Sequence, residues 1–145
     1  MSQLPTVTIQ IPAQSDFVGV VRLSVSGIAS RMNFSIDEIE DIKVAVSEAC
    51  TNAVQHAYGG GDGMIDVAMT LHSDKLEVLV KDSGKGFDPA NAVSAKQDGA
   101  NDALFGLGLG LTFIRTLMDF SEIESVPGQG TVVRMVKNTP VETSA

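Results

Sequence analysis

A chain of 145 residues, 43% of them hydrophobic, is long enough to bury one core of its own and suits a single globular domain. With 10 Lys and Arg against 18 Asp and Glu the formal charge is −8, which argues against a nucleic-acid binder working through clustered cations but not against a single nucleotide, which needs only a metal ion and a nest of amides. The one cysteine, Cys50, can form no intrachain disulfide, no apolar run approaches the ~20 residues that span a bilayer, and the opening MSQLPTVTIQ has no signal-peptide pattern, so no membrane association and a cytoplasmic location are expected.

Thr6 to Ile11 alternates polar and apolar residues, with Val7, Ile9 and Ile11 on one side, and predicts a short strand ended by Pro12. From Ser15 to about Met32 the spacing is helical, through Phe17, Val20, Val21, Val25 and Ile28, with Ser15 or Asp16 as N-cap. A second helix opens at Ser35, where Glu38 completes a capping box; its apolar stripe is Ile39, Ile42, Val46, Ala49 and Ala53. It is expected to end near Tyr58, because Gly59-Gly60-Gly61-Asp62-Gly63 cannot continue a helix. Met64 to Leu71 and Leu76 to Lys81 read as a hairpin, and Asp82 to about Gly106 as a polar, flexible loop. A loop of that length in a compact domain is usually functional or disordered. A third helix is expected from about Leu109 to Met118. A last hairpin, Ser121 to Ser125 and Thr131 to Val136, turns at Pro127-Gly128-Gln129-Gly130. No internal repeat or boundary divides the chain, so residues 1–138 are read as one domain and 139–145 as a disordered tail.

Three groups of residues carry chemistry. Glu48, Asn52 and His56 lie four apart on the second helix and form one polar row, flanked by the small Ala45, Ala49 and Ala53. An amide oxygen such as that of Asn52 is a hard, neutral ligand suited to Mg²⁺ when phosphates bring the negative charge, and Glu48 one turn earlier can take a proton from a hydroxyl. A merely solvated helix face would carry the same residue types. Asp82-Ser83-Gly84-Lys85-Gly86-Phe87 follows a strand; its carboxylate can accept from an exocyclic amine and its glycines admit a flat ring, although an ordinary Asp-Gly turn reads the same. Gly106-Leu107-Gly108-Leu109-Gly110-Leu111 leads into a helix, where free amides can meet phosphate. It is no dinucleotide fingerprint, since a polar loop precedes it, and no P-loop sequence occurs.

The order of these signals resembles the GHKL ATPase family: a helix with Glu and Asn, a strand into DxGxG, a loop, a GxG before a helix, and Gly130-Thr131 entering a last strand. Within it, Gly27 to Met32, Asp37 to Tyr58 and Thr116-Leu117-Met118-Asp119 are similar to the RsbW-type anti-sigma-factor serine kinases. The resemblance implies the α+β Bergerat fold, a mixed, mainly antiparallel sheet with helices packed on one face, and ATP between helices and lid. It implies Glu48 as general base, Asn52 as Mg²⁺ ligand, Asp82 on the adenine amine with Gly84 and Gly86 beside the ring, Gly108 and Gly110 at the phosphates, and Thr131 supporting adenine. Phe17-Val18-Gly19-Val20-Val21-Arg22 is similar to the first helix of that group, where the arginine meets protein partners, which gives Arg22 a partner-binding role. One position departs from the pattern: a related sporulation anti-sigma kinase has arginine two residues before the first glycine of the GxG, where this chain has Gly106.

The function implied is a kinase that sequesters a stress-type sigma factor and uses ATP to phosphorylate a serine of its anti-anti-sigma antagonist, working as a homodimer. The alternatives are a nucleotide-gated anti-sigma binding module with little kinase activity, or the catalytic part of a histidine kinase, for which no phosphoacceptor helix precedes the ATP domain. Cys50, Met118 and Met135 read as core filler. His56 is either a hydrogen-bonding neighbour of the polar row or a helix-end residue.

Overall fold

The computed structural model describes residues 3–58, 62–86 and 102–140, with the backbone alone for 102–108. In chain order the elements are β1 (Thr6–Pro12), a 3₁₀ turn (Ser15–Phe17), α1 (Val18–Ala29), α2 (Ile36–Asn52), a π-helical turn (Ala53–Ala57), β2 (Met64–Leu71), β3 (Lys75–Asp82), α3 (Asp102–Leu117), β4 (Phe120–Val126) and β5 (Gly130–Asn138). The five strands form one sheet in the order β1-β2-β3-β5-β4, and all its pairings are antiparallel. The α+β architecture is the expected one.

Alternation along the strands decides which side is covered. Ile65, Val67 and Met69 of β2, Leu76, Val78 and Val80 of β3, and Val133 and Met135 of β5 are buried against the helices, with Ile42, Val46, Cys50, Val21, Val25 and Ile114 opposite them. The other face keeps polar pairs such as Arg134 Nε to Glu77 Oε2 at 2.6 Å. The helices follow from local chemistry. The Ser35 hydroxyl accepts from the Glu38 N–H at 3.1 Å while Glu38 Oε1 accepts from the Ser35 N–H at 2.8 Å, so the capping box holds the start of α2. Lys137 Nζ donates to the Leu117 carbonyl at 2.7 Å and lies 3.7 Å from Asp41, tying the end of α3 to α2 and the sheet.

Three expectations are corrected. Neither Ser15 nor Asp16 caps α1: both lie inside the 3₁₀ turn, which carries the chain into the helix without a side-chain cap. Second, α2 does not run unbroken to Tyr58 but widens into the π turn after Asn52. Third, α3 begins at Asp102 rather than near Leu109, so Gly106, Gly108 and Gly110 lie within a helix and the end of the expected loop is helical. Ala, Leu and Phe at 103–105 favour a helix, and the packing of α3 on α2 offsets the ~1 kcal/mol that each interior glycine costs. The rest of the expected loop, residues 87–101, and most of the expected disordered tail, 141–145, lie outside the described residues.

Candidate active site

The second helix supplies the floor of the site. Ala45, Ala49 and Ala53 are buried beside the polar row, Glu48 is half-buried, and Asn52 is only 9% exposed. A buried side-chain amide ordinarily has its hydrogen bonds made, yet among the described residues Nδ2 of Asn52 finds no acceptor. Above it α3 crosses at Gly110, where a Cβ would stand 2.8 Å from Nδ2 and 3.0 Å from Oδ1 of Asn52. Gly108 lies half a turn earlier on the same helix. The helix start, with its free amides, is therefore at Asp102 and not at the glycine repeat.

The wall opposite is built where β3 and β5 end. Asp82 closes β3 and faces Thr131 across the ladder. The residue is 6% exposed, and its carboxylate accepts from the Gly84 N–H at 3.0 Å, forming a tight Asx turn. Burial pushes its pKa above the usual aspartate value, opposed by backbone N–H donors at Gly84 and Thr131. Gly84 packs flat on the Ala57 carbonyl and leaves no room for a Cβ, and Lys85 N–H donates to that same carbonyl at 2.7 Å. Gly86 has φ 64°, a left-handed conformation that also brings it against Val126. The Thr131 hydroxyl shares a 2.7 Å hydrogen bond with Ser125.

The two walls meet at the π turn. Such single turns widen a helix and recur at functional sites. The turn includes His56, so Glu48 and Asn52 are the two members of the row that lie within α2 itself. Burial, and then the positive charge of Lys85, hold the His56 imidazole below its ordinary pKa. Arg22, exposed on α1, donates from Nε to Ser47 Oγ at 3.0 Å, which sets it beside the residue preceding Glu48. Val20 and Leu23 next to it are 49% and 76% exposed, an apolar rim on the outer side of α1.

The structure thus brings Asn52 and Gly110 together, and likewise Asp82, Gly84 and Thr131, with Glu48 one turn back from Asn52 and Arg22 on the adjacent helix. Sequence reading missed Ser47, Ser125 and above all Tyr58. The Tyr58 hydroxyl donates to the Met64 carbonyl at 2.7 Å and accepts from the Ser83 N–H at 2.9 Å. Its one sequence signal is a lone tyrosine closing the helix ahead of a glycine run.

Comparison with known proteins identifies the family. The family model described as histidine kinase-like ATPase domain matches residues 11–137. The chain is 44% identical over 142 residues to a serine-protein kinase RsbW of Bacillus pumilus, covering 90% of this chain and 84% of that one. To the serine-protein kinase RsbW of Bacillus subtilis it is 41% identical over 144 residues, covering 90% and 84% respectively. A crystal structure of the RsbU and RsbW domains of a Mycobacterium tuberculosis protein superposes with a TM-score of 0.67 at 21% identity, over 97% of this chain and 35% of that longer one. The chain belongs to the histidine kinase-like ATPase domain family and, within it, to the RsbW-type serine-protein kinases.

Proposed function

We propose that this RsbW-type ATPase-fold protein is an anti-sigma factor that transfers the γ-phosphate of ATP to a serine of a small anti-anti-sigma protein. The observation that carries the reading is the Asn52 amide: buried, its Nδ2 unpartnered among the described residues, covered by a glycine and set one turn beyond Glu48. Leaving such a buried donor unpaired costs about 1–3 kcal/mol, which a ligand that supplies the acceptor would offset.

The residues fit a nucleotide with its cation. Asn52 offers one neutral oxygen for Mg²⁺ and one donor for a phosphate oxygen. Among the described residues no group of three or more His, Cys, Asp or Glu could hold a metal by itself, so a cation here would rely on oxygens of the triphosphate. When bound, Mg²⁺ would neutralise phosphate charge in the transferring group. In this reading the carboxylate of Asp82 accepts from the exocyclic amine of adenine, which offsets the burial that raises its pKa. Gly84 and Gly86 leave the ring its space, Thr131 supports the purine from β5, and Gly108 and Gly110 let the phosphates approach α3. Glu48 orients the incoming serine hydroxyl and takes its proton. Phosphoryl transfer asks mainly for such positioning and charge neutralisation.

Arg22 and the apolar rim of Val20 and Leu23 form the surface offered to protein partners, the sigma factor and the anti-anti-sigma protein in turn. Ser47 holds the guanidinium against α2, next in sequence to Glu48, and in this reading a partner bound there reaches the general base. The protein works in the cytoplasm as a homodimer. Among the described residues no helix is long and apolar enough to cross a membrane.

The test is incubation of the full chain with γ-labelled ATP, Mg²⁺ and candidate anti-anti-sigma proteins. Label on a serine of one of them is the expected result. Nucleotide-dependent sigma binding without label on any would leave a gated binding module, and the kinase reading would be given up.

A further inference from the structure

The register of the β2–β3 ladder ends at Ile65 opposite Asp82, so the next rung would join Met64 to Ser83. That rung is made by a side chain instead. The Tyr58 hydroxyl stands between the two backbones, donating to the Met64 carbonyl at 2.7 Å and accepting from the Ser83 N–H at 2.9 Å. One oxygen replaces a direct N–H···O=C bond, which holds the strands apart at the mouth of the site and fixes the peptide directly after Asp82. The ring itself has little freedom, because Gly63 packs on its face and a Cβ there would run into it. Tyr58 also follows the π turn whose Ala57 carbonyl receives the Lys85 N–H. Both ends of the Asp82 turn are therefore tied to the end of the helix that carries Glu48 and Asn52.

We propose that Tyr58 is a positioning residue for purine selection: its phenol sets the place of the Asp82 carboxylate and so the preference for a purine with an exocyclic amine. The inference rests on the reading of Asp82 given above. Without the hydroxyl the Ser83 N–H and the Met64 carbonyl either close on each other or admit water. Either outcome shifts the peptide that carries Asp82 while Asn52 and the phosphate side stay in place. The effect falls on base recognition and spares the triphosphate.

The experiment compares ATP with ITP, in which an oxygen replaces the exocyclic amine, by calorimetry with Mg²⁺ on the full chain and on Tyr58→Phe and Gly63→Ala. Wild type is expected to prefer ATP. Each variant should lose about threefold to tenfold of that preference, the span of one hydrogen bond, with ITP affinity held within about twofold. Equal weakening of ATP and ITP would reduce Tyr58 to a structural residue, and an undiminished preference would also overturn the inference. Should Tyr58→Phe show no melting transition, Gly63→Ala decides, since it displaces the ring while keeping the phenol. A wild-type protein that binds both nucleotides equally would overturn the Asp82 reading, and this inference with it.

Discussion

Gly110 of α3 lies against the side-chain amide of Asn52 in α2, so that a Cβ on Gly110 would stand 2.8 Å from Nδ2. A glycine inside a helix costs ~1 kcal/mol relative to alanine, so its place here is set by what it faces. Gly27 of α1 makes the contrast, because a Cβ there would meet nothing within 4 Å.

Gly110→Ala and Gly27→Ala should accordingly part ways. The first gains helix propensity but forces a short, buried amide aside, and overpacking of ~1–3 kcal/mol outweighs the ~1 kcal/mol gained. Its Tm should fall or stay level, and Mg-ATP affinity should drop at least about tenfold, because the displaced group is Asn52 itself. Gly27→Ala should raise Tm, by the equivalent of about 0.5–1 kcal/mol. Thermal melts and calorimetry on both variants check this; equal behaviour would mean that the crossing tolerates a methyl.

Asp82→Asn should lose ATP binding without losing stability. Burial raises the carboxyl pKa in the folded state, so the folded chain binds the proton more readily than the unfolded chain. Stability from this group is full below the unfolded value of 3.8 and declines as pH rises through the higher folded value, so at neutral pH the charge is a cost. Removing the charge should leave Tm at pH 7 level or higher. A large fall in Tm would show that the Gly84 and Thr131 amides outweigh desolvation.

Glu48→Gln keeps the size of a half-buried side chain and removes its basicity. Nucleotide affinity should remain within about twofold while phosphotransfer falls ~10²–10⁴-fold, the usual span for a general base. Single-turnover transfer to the partner serine is the measurement, and undiminished transfer would return Glu48 to the status of a helix-face residue.

The π turn should register in pH. Burial and Lys85 hold His56 below its ordinary 6.5, so the unfolded chain takes up this proton first as pH falls. Between the folded pKa and 6.5 the unfolded state binds more protons, and stability declines with acidification across that window. The Tm of wild type should drop more than that of His56→Gln between about pH 7 and about pH 5.5. Parallel curves would place the imidazole in open solvent.

The signals readable from sequence were those with local causes. The capping box at Ser35 and Glu38 and the strand Met64–Leu71 needed only neighbouring residues, and both stand as expected. Asp82 and Thr131 were placed in one site by motif order, and the β3–β5 register brings them opposite each other. What failed was set by tertiary contact. The glycines of α3 look like breakers to local propensity, whereas packing on α2 keeps at least Gly110 inside the helix. A π turn is a local widening that the 3.6 period cannot reveal, so the change of helix type at Ala53–Ala57 has no signal in the sequence. The Tyr58 bridge joins residues 25 positions apart, beyond any window of sequence pattern.

Cys50 lies at 0% exposure in the core, and burial pushes its thiol pKa up to about 12. A thiolate is the species that attacks maleimides and disulfides, so at neutral pH this group is silent toward both. It is also the chain's one cysteine. The native protein therefore behaves toward labelling reagents as though it were cysteine-free, and a cysteine introduced at the 79% exposed Ile36, outside the α1 rim, would take a fluorophore alone. Partner arrival and departure at α1 could then be followed on the otherwise unaltered chain, with no need to disturb the core by removing Cys50.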